Sequence, residues 1–263
     1  MFAACQLRRA LTRSAKTKRY VTSTRNPPWL PLNMIVAGLL LAGCGESIPV
    51  AGADDVTRSS TQRILVMGDS MFAWHRGAKS AISNELERQL NTRVIDRSVV
   101  GARYNYALPI SGALGLNISK QYRFGKWDWV VLNGGGNDLW FGCGCVACEV
   151  TLDRMISPDG TAGKIPDLVH RIRQDGAQLV FLGYLHSPGT FSIIDHCKDE
   201  AIELENRLAA LSSKTVGFFF LRLSNLVTNG DRSFHSLDMI HPSSKASKLI
   251  GKLVAALIRD ETP

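Results

Sequence analysis

Acidic residues are absent from the first 43 positions, which carry seven of the chain's 31 lysines and arginines. The formal net charge of +8 therefore comes almost wholly from this segment, because the other 24 basic residues face 23 acidic ones. The basic pI consequently gives little support to a nucleic-acid partner for the rest of the chain. A hydrophobic content of 45% excludes a disordered chain and fits one folded domain of about 200 residues.

Long hydrophobic runs are scarce as well. The apolar run at 34–43 (MIVAGLLLAG) has ten residues, whereas a membrane-spanning helix needs about 20. Its length and its basic flank are typical of a secretory signal, and Leu41 to Cys44 (LAGC) resembles the bacterial lipobox. We therefore expect a leader at 1–43, a lipidated Cys44 with a flexible tether at 44–60, and a folded domain at 61–263. A buried helix that ends at a cysteine is the alternative interpretation.

The leader implies a protein exported to the bacterial cell envelope and held on the membrane through Cys44. Disulfides persist in that compartment. The mature chain would keep four further cysteines, which are Cys143, Cys145, Cys148 and Cys197. Two disulfides of undetermined connectivity are the favoured prediction, and a zinc site built from the same four sulfurs is the alternative.

Short apolar runs alternate with amphipathic stretches along the folded part, without repeats or low-complexity segments. The runs predict strands at 63–67, 93–95, 129–132, 179–182 and 217–221. The stretches between and after them predict helices at about 71–90, 161–174, 197–213 and 244–259. Continuous apolar strands alternating with helices indicate an α/β protein with a mostly parallel five-stranded sheet covered on both faces.

Ligands of such sheets bind beyond the carboxyl ends of the strands. Ser70 follows the first predicted strand, where free helix N–H groups favour negative charge. A serine hydroxyl needs a base to become a nucleophile; His241 fits that role, and Asp238 could orient it. Asn137 and the backbone of Gly101 could supply oxyanion donors. Trp140, Phe141 and His186 could also lie near a substrate, although aromatic residues are more often part of the core and histidines are more often surface residues.

The motifs GDS (68–70), a glycine after the second strand (Gly101), GGND (135–138) and DMIH (238–241) stand in the order that is typical of the SGNH, or GDSL, hydrolases. The chain resembles this superfamily over about residues 63–258. The resemblance implies a three-layer α/β/α, flavodoxin-like fold and hydrolysis of esters or thioesters without a metal or other cofactor. It assigns Ser70 as nucleophile, His241 as base and Asp238 as its acid. The oxyanion hole would combine the N–H groups of Ser70 and Gly101 with the Asn137 side chain.

These observations predict a monomeric serine esterase, lipase or deacetylase that forms an acyl-enzyme on Ser70. Its substrate would be a small-molecule or glycan ester, and no nucleic acid would bind. An acyltransferase and a non-catalytic binding lipoprotein on the same fold are the alternatives.

Overall fold

The computed structural model describes residues 62–106, 112, 114–189 and 192–262. The predicted leader at 1–43, the lipidation site Cys44 and the tether at 44–60 lie outside these residues. None of the helices in the described ranges is long and apolar enough to span a membrane.

The centre of the fold is a five-stranded sheet whose paired strands all run parallel. Its strands are Ile64–Met67 (β1), Val94–Asp96 (β2), Trp129–Leu132 (β3), Gln178–Leu182 (β4) and Phe218–Leu221 (β5). Their order across the sheet is β2-β1-β3-β4-β5. The chain therefore reverses its direction of winding at β1, and the carboxyl ends of all five strands meet at one edge.

Helices connect the strands. Those described are Ser70–Ala73 (α1), Ile82–Leu90 (α2), Ile118–Gln121 (α3), Gly136–Asp138 (α4), Glu149–Met155 (α5), Lys164–Gln174 (α6), Lys198–Lys214 (α7) and Ser244–Asp260 (α8). A π-helical turn, Leu139–Cys143, follows α4, and short 3-10 turns lie at Asp195–Cys197, Ser224–Leu226 and Arg232–Phe234.

Alternate residues of each strand face opposite layers of helices. Leu65 and Met67 of β1 belong to a core cluster with residues of α5, α6 and α7, whereas Ile64 and Val66 pack with residues of α2 and α8. All four β1 side chains are buried because both faces of a parallel sheet are covered. The predicted three-layer α/β/α architecture is confirmed.

The single helix predicted over about 71–90 is wrong. The chain forms α1, then leaves the helical conformation at Trp74, whose ψ is 139°, and resumes in α2. His75 and Lys79 between the two helices have positive φ values. The apolar pattern did not reveal the break because Met71, Phe72, Ile82 and Leu86 remain buried in the same cluster.

Candidate active site

The residues singled out by sequence meet at the carboxyl edge of the sheet. Ser70, Gly101, Asn137 and His241 all line one cavity of about 750 Å³. Asp238 does not line the cavity, but the Asp238 carboxylate contacts Nδ1 of the His241 ring. The fold thus brings together residues from four separate strand-end loops.

Ser70 is the first residue of α1, immediately after the sharp turn that ends β1. Gly68 in this turn has φ +150°, and a Cβ there would lie 1.9 Å from Asn133 Oδ1, so only glycine fits. Asp69 is the N-cap and accepts a hydrogen bond from Met71 N–H at 2.9 Å. The Ser70 N–H has no acceptor among the described residues and is available at the positive end of the turn.

His241 and Asp238 form a close pair at the start of the segment that leads to α8. His241 Nδ1 lies 2.6 Å from Asp238 Oδ2, and the N–H groups of Ile240 and His241 donate to Asp238 Oδ1 at 3.0 Å each. Partial burial opposes ionisation, but the hydrogen bonds from His241 and Ile240 hold the pKa of Asp238 below its usual value. An ionised Asp238 fixes the His241 tautomer with its proton on Nδ1, which leaves Nε2 as the basic nitrogen.

Trp74 stacks on the imidazole of His241, with ring centroids 3.7 Å apart and planes inclined by 7°. The indole N–H donates to Ser236 Oγ at 3.1 Å, which ties Trp74 to the loop that carries the pair. The stacked indole therefore fixes the plane of the imidazole ring. Trp74 could not be recognised from the sequence, because the apolar pattern predicts one continuous helix through this position.

Three hydrogen-bond donors belong to residues that line the cavity, namely Ser70, Gly101 and Asn137. Gly101 has φ +77°, and no atom lies within 4 Å of the position of a Cβ, so its backbone is accessible from the cavity. Asn137 Nδ2 donates one hydrogen to the Ala102 carbonyl at 3.1 Å, which orients the amide and leaves its second hydrogen available. Together with the Ser70 N–H, these groups can hold an oxyanion.

Asp138 connects the loops that carry two of these donors. Its carboxylate accepts the N–H groups of Tyr104 at 2.9 Å and Asn105 at 2.7 Å. Burial raises the pKa of Asp138 to about 6, although the same two N–H groups act in the opposite direction. The segment after Gly101 is thereby fixed against the turn that carries Asn137.

Tyr184, at the end of β4, joins the serine turn to the asparagine turn. Its hydroxyl donates to Asp69 Oδ2 and accepts the Gly136 N–H at 3.0 Å. Burial and the Asp69 carboxylate raise the pKa of Tyr184 well above its ordinary value, so the hydroxyl keeps its proton. Neither motif contains Tyr184, and sequence spacing gave no sign of its role.

Apolar side chains from two opposing segments form much of the cavity wall. One segment is the π-helical turn with Leu139, Trp140 and Phe141, and the other is the start of α7 with Ala201 and Leu204. Trp140 and Phe141, for which core packing was the alternative, therefore line the cavity.

The structure contains two disulfides in these segments, Cys143–Cys148 and Cys145–Cys197, and only the second joins one segment to the other. Cys145–Cys197 joins the segment after Asn137 to the residue before α7, across 52 positions of sequence. Cys145 and Cys197 also lie close to His196 in a group with metal-ligand spacing. All four sulfurs that the zinc alternative would use are engaged in disulfides, so none of them is a thiolate ligand in this structure.

His186 also lines the cavity, beside a buried charged cluster. Its Nε2 lies 3.8 Å from Glu205 Oε2, and the Arg222 guanidinium lies 2.7 Å from the same carboxylate. Burial, together with the Lys198 and Arg222 cations, lowers the pKa of His186. His186 is therefore a neutral polar group on a largely apolar wall.

A serine after a glycine turn, an Asp–His pair and N–H donors at the edge of a parallel sheet form the arrangement that is typical of the SGNH hydrolases. The model of the GDSL-like lipase/acylhydrolase family matches residues 66–249, and the chain belongs to this family. No protein among the curated sequences matches the chain.

Solved structures with the same fold have low sequence identity. A protein from Slackia heliotrinireducens that is proposed to be an SGNH hydrolase has 18% identity and a TM-score of 0.53, over 75% of this chain and 99% of that one. The psychrotrophic esterase EstA from Pseudoalteromonas sp. has 16% identity and a TM-score of 0.51, over 76% and 97%. The aryl esterase of M. smegmatis has 16% identity and a TM-score of 0.50, over 76% and 100%.

Proposed function

We propose that this protein is a serine hydrolase that cleaves an ester or thioester through an acyl-enzyme on Ser70. The main support for the proposal is that Ser70, the His241–Asp238 pair and three N–H donors lie together at one apolar cavity. An N–H cluster without a nucleophile would bind anions only, and a serine without a base would be inert.

The mechanism follows from the arrangement of these groups. His241 Nε2 removes the hydroxyl proton of Ser70 while Oγ attacks the carbonyl carbon. The negative charge that develops on the carbonyl oxygen is held by the N–H groups of Ser70 and Gly101 and the Asn137 amide. His241 then gives its proton to the departing alcohol or thiol, and the acyl group stays on Ser70. Water, deprotonated by His241, attacks this acyl-enzyme; His241 then returns the proton to Ser70 Oγ as the acid is released.

The cavity favours an apolar acyl or aryl group over a small polar one. Leu139, Trp140 and Phe141 form one wall, and Ala201 and Leu204 lie on the other. Because burial of each CH₂ stabilises binding by about 0.8 kcal/mol, octanoyl esters should be cleaved with a higher kcat/KM than acetyl esters. Acetylated glycans would then be poor substrates.

Labelling by a fluorophosphonate tests the proposed reaction directly, since this reagent modifies only activated serines. The wild-type chain should be labelled, the Ser70→Ala variant should not, and Ser213→Ala, which changes an exposed serine of α7, should be labelled like the wild type. A wild-type chain that takes up no label and cleaves no ester would instead be a binding protein on this fold.

We further propose that the protein is exported and anchored to the membrane of the bacterial envelope through lipidated Cys44. The support is the sequence alone: the basic segment, the apolar run and Leu41 to Cys44. Stable anchoring requires more than one acyl chain. Cys44→Ala should therefore move the protein from the membrane fraction to the soluble fraction. A variant that is retained as fully as the wild type through repeated washing would show that the stable anchor is elsewhere.

Tyr184→Phe should lower kcat by about tenfold, which corresponds to about 1.4 kcal/mol of lost transition-state stabilisation, with little change in KM. The hydroxyl orders the Gly136 N–H and Asp69, so its loss should let the Asn137 turn shift. If Tyr184 acts through Asn137, the Tyr184→Phe substitution should cost little more in an Asn137→Ala background. Steady-state kinetics of the single and double variants measure this coupling.

Tyr122→Phe is the matched control, because the Tyr122 hydroxyl also donates to a carboxylate, Asp175 Oδ2, at 2.7 Å. Tyr122 does not line the cavity. The Tyr122→Phe substitution should lower the free energy of unfolding about as much as Tyr184→Phe does, while kcat stays at the wild-type value. Equal losses of kcat in the two variants, or full additivity with Asn137→Ala, would show that Tyr184 has only a structural role.

A further inference from the structure

Large apolar side chains that are exposed concentrate at one end of the domain. Seven of the nine in the described ranges lie in connections that leave the carboxyl ends of strands. They are Val100, Leu114, Phe141, Val146, Val150, Ile193 and Leu237. The other two, Phe124 and Val216, lie in connections that enter the amino ends of β3 and β5. Exposed apolar residues scattered singly are normal, but a concentration on one side marks an interaction surface.

Two of these seven residues, which together we call the apolar rim, also line the cavity. Val100 and Phe141 line the cavity and are also more than half exposed, so they stand at its mouth. Ile193 precedes the lining residue Ile194, and Leu237 precedes Asp238. Ser192 Oγ donates to the Met239 carbonyl at 3.1 Å, which holds the segments of Ile193 and Leu237 together.

We propose that the apolar rim docks on a lipid surface and that the acyl chain of the substrate enters the cavity from that surface. The inference rests on the proposed function, because a cavity for acyl groups that opens through an apolar rim can take a chain directly from a lipid layer. Water would otherwise have to solvate the chain during its transfer.

The chain outside the described residues has the length that this orientation needs. Gln62, the first described residue, is 18 positions after Cys44, and extended chain over this span reaches about 60 Å. A domain of about 200 residues is roughly 45 Å across. A lipid attached at Cys44 therefore leaves the domain free to turn the carboxyl edge of its sheet toward the membrane, although β1 begins at the opposite edge.

Partition into phosphatidylcholine–phosphatidylglycerol vesicles tests the docking. Every protein in this comparison is the full chain with Cys44→Ala, so that no acyl anchor contributes. The Cys44→Ala chain without further substitutions is the parent. The rim variant carries Ile193→Ser and Leu237→Ser, neither of which lines the cavity. The control variant carries Phe124→Ser and Val216→Ser, at the amino edge of the sheet, where both side chains are 90% exposed. Both pairs remove exposed apolar area and should leave the fold intact.

We expect the rim variant to partition about tenfold less than the parent, at low and high salt alike, and the control variant to partition like the parent. Hydrolysis of a soluble short-chain ester should be unchanged in the rim variant, whereas hydrolysis of an ester held in vesicles should fall. Equal partition of both variants would overturn the proposal. A rim substitution that abolishes self-association in sedimentation without changing partition would assign the surface to a second copy and would also overturn it. A parent that binds vesicles but cleaves neither ester would contradict only the proposed function.

Discussion

Ser70→Ala is expected to reduce turnover by a factor on the order of 10⁵ to 10⁶, since it removes the atom that forms the acyl bond. Substrate binding should be largely kept, because Oγ is one atom of a cavity of about 750 Å³. The measurements are kcat for ester hydrolysis and the dissociation constant of a non-cleavable ether analogue. A loss of binding equal to the loss of turnover would indicate a damaged cavity.

His241→Ala should cause a loss of similar size, because Ser70 without its base is a weak nucleophile. The Ser70→Ala, His241→Ala double variant should then be no slower than either single variant, since members of one catalytic unit are strongly non-additive. Asp238→Ala should cost less, because Asp238 orients the ring and forms no bond to substrate. Free-energy losses that add in full in the double variant would refute the assignment of Ser70 and His241 as a unit.

Removal of the long-range disulfide, by Cys145→Ser with Cys197→Ser, should lower the free energy of unfolding by about 4 kcal/mol in the chain-entropy model. The bridge closes a loop across 52 positions, and its loss leaves the unfolded chain much freer. It also ties the Trp140 wall of the cavity to the start of α7, so KM for a long-chain ester should rise. Urea unfolding and ester kinetics of the oxidised protein measure the two effects.

The second disulfide provides the control within the same segment. Cys143–Cys148 spans only five positions, so Cys143→Ser with Cys148→Ser should cost about 2 kcal/mol on the same model. The walls would remain joined, and KM for the long-chain ester should change little. If both pairs of substitutions have the same effect on stability and on KM, the bridge between the walls has no special role.

The strands could be predicted closely from the sequence because their apolar runs are uninterrupted and bounded by turn residues. The run at 129–132 coincides with β3, and the other four agree with the structure to within one residue at either end. Ser70, Asn137, Asp238 and His241 could be singled out for the same reason, since each follows a recognisable strand within a short motif. A parallel sheet then places those loops at one edge.

The groups that organise the site could not be predicted, because their partners are distant in sequence. Tyr184 is 115 positions from Asp69, to which it donates, and nothing in the local sequence of β4 indicates that contact. The helix over 71–90 was wrong because Trp74 makes its principal contacts with the loop that carries His241. Hydrophobic periodicity reports burial, and burial is preserved on both sides of the break.

Because Trp74 stacks on His241, its fluorescence is an intrinsic probe of the active site. Trp74 is one of five tryptophans, and its ring centroid lies 3.7 Å from that of the proposed general base. Emission that is lost on substitution of Trp74 should therefore change when a ligand fills the cavity and contacts His241.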